Sequence, residues 1–201
     1  MCTVTYIPPS AENSFILTSN RDEKDFRPTV PPKIYSLGEK HIAFPKDEKA
    51  GGSWIAVNKT GKTCCLLNGG FIAHQKQAFH TLSRGTILLE LTGSDMAVPE
   101  FFASKNLANV EPFTIVTIDQ DETSLKQLSE FIWDGNKTHY RQLDINSPYI
   151  WSSATLYSEA HRNLRKSWFE RIFNASKDSI TPEKIFSFHS GSHTDDTSIN
   201  L

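Results

Sequence analysis

The chain has 201 residues, of which 38% are hydrophobic and 22% charged, with a net charge of −2 and a pI near 6.4. That length and composition suit one folded domain with a sizeable core and exclude a disordered chain. The balanced charge gives no footprint for nucleic acid or an anionic membrane surface, and no apolar run has the length of a transmembrane helix.

The N-terminus lacks a basic region followed by an apolar core, so no secretory signal is expected. Cysteines occur at Cys2, Cys64 and Cys65 only. An odd number with two adjacent is not a disulfide framework, and a reducing, cytoplasmic location is expected. Asn58-Lys59-Thr60, Asn136-Lys137-Thr138 and Asn174-Ala175-Ser176 are then chance matches to the glycosylation pattern.

Thr3 to Tyr6 alternates like a strand, residues 8–13 form a turn, and "SFILTS" at 14–19 is a second strand. Residues 3–19 therefore read as a hairpin. "RPTVPPKIY" at 27–35 is too rich in proline for a central strand and suits an extended surface segment. Trp54 to Val57 and Thr63 to Leu67 are strands joined by the polar turn Asn58–Lys62. Both are apolar on successive residues, so both faces must be covered.

"SRGTILLELT" at 83–92 and "SDMAVPEFFASK" at 94–105 read as helices, the second with Ser94 as N-cap. "PFTIVTID" at 112–119 is a strand, and 128–144 is a hairpin around Asp134-Gly135. A further strand lies within 147–157. Ser158 then caps a helix whose apolar stripe is Leu164, Trp168, Ile172 and Phe173. Thr181-Pro182 starts a last short helix. Segregated strands and helices indicate an α+β fold, with two sheets packed between helix layers.

Gly61-Lys62-Thr63 superficially matches a phosphate-binding loop. The motif needs a glycine where Ala56 stands and a helix where a strand follows, so it is rejected. Cys64 and Cys65 point to opposite faces of one strand and cannot readily share a metal. No second pair has zinc-ligand spacing. The seven histidines are scattered, with His189 and His193 on an irregular tail. No metal site is expected.

Cys2 stands apart because of its position. Removal of Met1, usual before a small second residue, leaves a thiol and a free α-amine on one residue. The α-amine, with a pKa of about 7.7–8.0, can act as base for the thiol nucleophile. "SNRDE" at 19–23 follows the second strand and can return to the chain start. Arg21 there is suited to lowering the thiol pKa, and Asp22 to orienting the α-amine. Asn68-Gly69-Gly70 follows a buried strand, and the Asn68 backbone N–H can face a developing negative charge.

Together "MCTV", "TSNRDE…RP" and "GGSWIAVNKTGKTCCLLNGG" resemble the NRDE family, also called the transport-and-Golgi-organisation-2 family. "SRGTILLEL" and "SSATLYS" are in keeping with it. The family's opening is similar to that of the N-terminal nucleophile (Ntn) hydrolases, above all the choloylglycine and penicillin V amidase group. The resemblance implies an αββα four-layer sandwich of largely antiparallel sheets, as one domain over residues 1–201. The tail "FHSGSHTDDTSINL" suggests that a final core strand is missing.

The resemblance also implies that Cys2 is the nucleophile, supported by Arg21 and Asp22, with Asn68 as backbone oxyanion donor. Asn20, Trp54, Ser152 and Ser153 are expected to bind substrate. Ser152 or Ser153 stands where the amidase group has an asparagine that completes the oxyanion hole. The implied activity is hydrolysis of a linear non-peptide amide through a thioester, without a cofactor. The alternative it implies is non-catalytic handling of a lipid, acyl-CoA or haem, linked to secretory organisation.

Overall fold

The computed structural model describes residues 3–10, 14–21, 28–122, 124–175, 180–191 and 193–194. Strand β1 (Thr3–Ile7) pairs antiparallel with β2 (Ile16–Ser19), as the hairpin reading required. Its other edge pairs antiparallel with β10 (Tyr149–Ser152), giving a three-stranded sheet in the order β10-β1-β2.

The second sheet has seven antiparallel strands. In order they are β3 (Thr29–Leu37), β4 (Lys40–Asp47), β5 (Ile55–Asn58), β6 (Thr63–Asn68), β7 (Phe113–Gln120), β8 (Leu125–Trp133) and β9 (Thr138–Leu143). Proline-rich β3 is an exposed edge strand, and its register shifts between Val30 and Lys33, where Pro31 and Pro32 sit. An edge position with a bulge tolerates residues that cannot donate to the ladder.

Helix α1 (Arg84–Gly93) packs on β4, β5 and β6. Next to it, Phe102 of α2 (Val98–Ala103) stacks on Phe131 of β8 at 3.5 Å between ring centroids. On the other side of the molecule, α3 (Glu159–Ala175) packs on β10, and α4 (Pro182–Ser190) packs on β2. The layers therefore run helix, sheet, sheet, helix. One core cluster joins Val4 and Tyr6 of β1 to the seven-stranded sheet, α1 and α2. A smaller one joins Ile7 to Trp168, Phe169, Ile185 and Phe188 of the outer helices.

Strand β6 is covered on both faces, as its sequence demands. Cys64 meets Thr92 of α1, whereas Cys65 meets Ser19 in the three-stranded sheet, so the adjacent cysteines do face opposite layers. Strand β5 is not fully covered, and Val57 is 37% exposed. Three strands cannot cover the whole inner face of seven.

Three other expectations change. Ser94 is the C-cap of α1, not an N-cap, and α2 starts after Ala97 with Pro99 in its first turn. Proline is pre-shaped for a helix start, so it sets the boundary. Leu164 is exposed on α3, and the buried stripe is Arg165, Trp168, Phe169 and Ile172. His189 lies in α4 and is buried, not on an irregular tail.

The loop between β4 and β5 crosses the start of α1 at two glycines. A Cβ on Gly85 would lie 2.7 Å from the Ser53 carbonyl oxygen, and one on Gly52 would lie 2.8 Å from the Gly85 backbone. Gly85→Ala is therefore expected to lower stability by about 1–3 kcal/mol. Gly93→Ala, whose Cβ meets the tip of Ile42 at 3.3 Å and the Lys40 side chain at 3.9 Å, should cost much less. Urea unfolding of the two variants checks the difference.

Candidate active site

Cys2 and Asp22 lie outside the described residues, so the site is built from their neighbours. Thr3 begins β1 and is fully buried. Its carbonyl accepts from the Asn20 backbone N–H at 3.0 Å, and its Cα register is with Ser152. The Thr3 and Ser152 hydroxyls lie 3.5 Å apart. Ser153, buried, donates to the Asn68 carbonyl at 2.7 Å and ties β10 to the end of β6. Asn20 and Ser152 thus meet at the start of β1, and Ser153 links the same segment to Asn68, although these residues come from three separate segments.

The turn after Asn68 depends on glycine. Gly69 has φ of 89°, and a Cβ there would lie 2.6 Å from the Thr155 hydroxyl. Close approach of "NGG" to "SSAT" therefore requires a residue without a side chain.

Two cavities meet at Asn68, which lines both. The first, of about 400 Å³, opens toward β8, β9, β10 and α3, and includes Leu67, Ile132, Ile150, Trp151 and Ser152. The second, of about 450 Å³, is more polar and includes Arg21, Asp47, Trp54, His80, Arg84 and Glu111.

Arg21 reaches the second cavity but is not a free cation. It pairs with buried Asp47 at 2.8 Å, donates to Thr29 at 3.0 Å, and lies 4.7 Å from the centre of the Trp54 ring. Asp47 also accepts from the Lys49 and Ala50 backbone N–H groups at 3.1 and 2.9 Å. No sequence motif pointed to Asp47, which is brought to Arg21 by the β4–β5 loop. Trp54 contributes its ring face to this arrangement and lines the same cavity. Across that cavity, Glu111 faces His74, Lys76 and Arg84 at 3.2, 3.9 and 3.5 Å. Burial opposes its ionisation, yet the Arg84 charge, the His74 hydrogen bond and the Lys76 charge hold its pKa below the usual carboxylate range.

Asn20 lines neither cavity. Its side chain clasps His189 of α4: Oδ1 accepts from the ring Nδ1–H, and Nδ2 donates to the His189 carbonyl at 2.7 Å. The other ring nitrogen meets Thr5 at 2.7 Å. Arg165 of α3, fully buried, donates to Thr3 at 2.9 Å and lies 3.5 Å from the centre of the Tyr157 ring. The threonines of β1 thus anchor it to both outer helices. The helix-start signal at Thr181-Pro182, carried through its full nine residues, would have placed His189 inside α4.

Cys64 and Cys65 are excluded as nucleophiles. Both are fully buried, and burial pushes each thiol pKa up to about 12. Among the described residues no cluster of three or more metal-ligating side chains occurs.

A sequence model of the Transport and Golgi organisation 2 family matches residues 1–200. The chain belongs to this family. No curated protein matches it. Among solved structures, the chain is similar to a Caenorhabditis elegans N-acylethanolamine-hydrolyzing acid amidase orthologue. The TM-score is 0.67 at 8% identity, over 98% of this chain and 88% of that one. It is also similar to the C2A mutant of a conjugated bile acid hydrolase from Clostridium perfringens. There the TM-score is 0.49 at 11% identity, over 84% of this chain and 57% of that one. This member of the Transport and Golgi organisation 2 family therefore has an Ntn-hydrolase-like α+β fold. Among its described residues, no helix is long and apolar enough to cross a membrane.

The buried His189 gives the site a pH signature. Burial first, then the nearby Arg165 and His193, lowers its pKa from 6.5 to about 4. Between those values the unfolded chain takes up a proton that the folded one refuses. Stability from this group is thus present above pH 6.5 and is lost as pH falls toward 4. The loss should reach about 2 kcal/mol at pH 5. Comparing urea midpoints at pH 8 and pH 5 should show a smaller acid-side loss in His189→Gln than in the native chain.

Proposed function

We propose that the protein is an Ntn amide hydrolase in which Cys2, freed by loss of Met1, attacks a linear non-peptide amide. The observation that carries this reading is the pairing of Asn20 and Ser152 with Thr3, the residue bonded to Cys2, with the next residue after Ser152 tied to Asn68. The other two thiols are buried and hard to ionise, which leaves Cys2 as the thiol available for chemistry. An amide substrate is also in keeping with the acid amidase of similar fold.

In the proposed reaction the Cys2 thiol passes its proton to its own α-amine, and the sulfur bonds to the amide carbon. The carbonyl oxygen becomes an oxyanion facing the Asn68 backbone N–H. Ser152 is assigned the second donor, with a hydroxyl in place of an amide, since the Ser153 hydroxyl already donates to the Asn68 carbonyl. The α-ammonium then gives its proton to the departing nitrogen as the C–N bond breaks, leaving a thioester. Water, deprotonated by the same amine, attacks the thioester and releases a carboxylate and the thiol.

Asp22 is assigned to orient the α-amine. Arg21 supports the thiolate, but its pairing with Asp47 spends much of its charge, so its larger role is to shape the cavity beside Trp54. Asn20 acts through His189 as a positioning residue.

The apolar wall of the first cavity favours a lipid-like substrate. The same wall suits the second reading, in which lipid, acyl-CoA or haem is held without turnover, in keeping with the family's association with Golgi organisation.

Brief alkylation of the native folded protein at neutral pH, followed by peptide mapping, separates the two readings. Cys2 should label at least about tenfold faster than Cys64 or Cys65. A panel of N-dodecanoyl amides should be hydrolysed by the native chain and not by Cys2→Ala. Equal turnover by Cys2→Ala would end the nucleophile assignment.

A further inference from the structure

The first cavity carries a feature that a purely apolar pocket has no use for. Arg162 of α3 lines it and donates from Nη2 to the Phe71 carbonyl at 3.1 Å. Its Nε–H is buried and meets no acceptor, the one such side-chain atom among the described residues. A buried donor without a partner is a standing cost, and the carbonyl that Nη2 meets is neutral, which leaves the charge of this guanidinium uncancelled.

Lys166, one helical turn on, lines the same cavity. Its ion pair with Glu170, at 3.8 Å between two exposed side chains, is long and weak. Arg141, by contrast, is already answered. Its Nε and Nη2 reach both oxygens of buried Glu130 at 2.8 and 3.3 Å. Glu130 also accepts from the Trp151 indole at 2.6 Å, which fixes that ring as a wall. The cavity thus has an apolar face of Ile132, Ile150 and Trp151, and an uncompensated positive edge on α3.

We infer that this cavity binds an anionic amphiphile, its headgroup against Arg162 and Lys166 and its chain along Ile132, Ile150 and Trp151. The volume of about 400 Å³ lies within the range of small-molecule sites. The inference rests on the amide-hydrolase reading only in making this amphiphile part of the substrate, and binding itself is independent of Cys2. A carboxylate and a phosphate offer the same acceptor chemistry.

Calorimetric titration of Cys2→Ala protein with monomeric dodecanoate, dodecyl phosphate and dodecanol tests it. At least one anion should bind about tenfold or more tightly than dodecanol, as a charge-assisted hydrogen bond implies. Which anion does so identifies the headgroup. Arg162→Gln should weaken the anion about tenfold and leave dodecanol unchanged. Lys166→Gln, at an exposed position, should weaken the anion in the same direction without affecting folding. Equal affinity for dodecanol and both anions, no binding of any of the three, or unchanged anion affinity in both variants would overturn the inference. Binding to Cys2→Ala without amide turnover by the native chain would keep this site and discard the hydrolase reading.

Discussion

Strand β1 pairs with β2 along one edge and β10 along the other, and every residue from Thr3 to Ile7 is buried. Val4 and Tyr6 enter the core between the sheets, and Ile7 joins the outer helix cluster. Thr3 and Thr5 are held from the helix side by Arg165 and His189. A segment next to a chain end normally frays. Here the residue adjoining Cys2 is fixed by hydrogen bonds and packing on both faces. The proposed reaction would draw on that constraint, because a reacting group must be held in place before binding energy can act on it.

The charges around the site are mostly answered within the protein. Arg21 is paired by Asp47, Glu111 by Arg84 and Lys76 with a hydrogen bond from His74, and Arg141 by Glu130. Such pairs build rigid walls more than they attract ligands, since each partner's field is largely cancelled. The charge left over lies on α3, across Asn68 from the Arg21 cavity. The two cavities therefore differ in kind, one closed by internal ion pairs and the other apolar with an unmatched positive edge.

Much of the fold was legible because its signals are local. The alternation in Thr3–Tyr6, the apolar run Thr63–Leu67 and the turn at Asp134-Gly135 each specify their own element. β4 carried no comparable mark, and the boundary at α2 was misread because Ser94 resembles an N-cap until Pro99 is weighed. The return of the segment after β2 to the chain start was also legible, from the hairpin reading. The partners of Arg21, Thr3 and Asn20 were not, since Asp47, Arg165 and His189 meet them only through tertiary contacts across 26, 162 and 169 positions of sequence. Asn20 shows the consequence. Its place in the motif suggested substrate contact, whereas its side chain serves α4.

The central claim is that a free α-amine and thiol on Cys2 work beside the anchored start of β1. Mass determination of the N-terminal peptide from catalytically active protein tests it most directly. The account predicts a peptide that begins at Cys2 with an unmodified amine. Full activity in protein that retains Met1 would contradict it, because the base in the proposed reaction would then be an amide nitrogen.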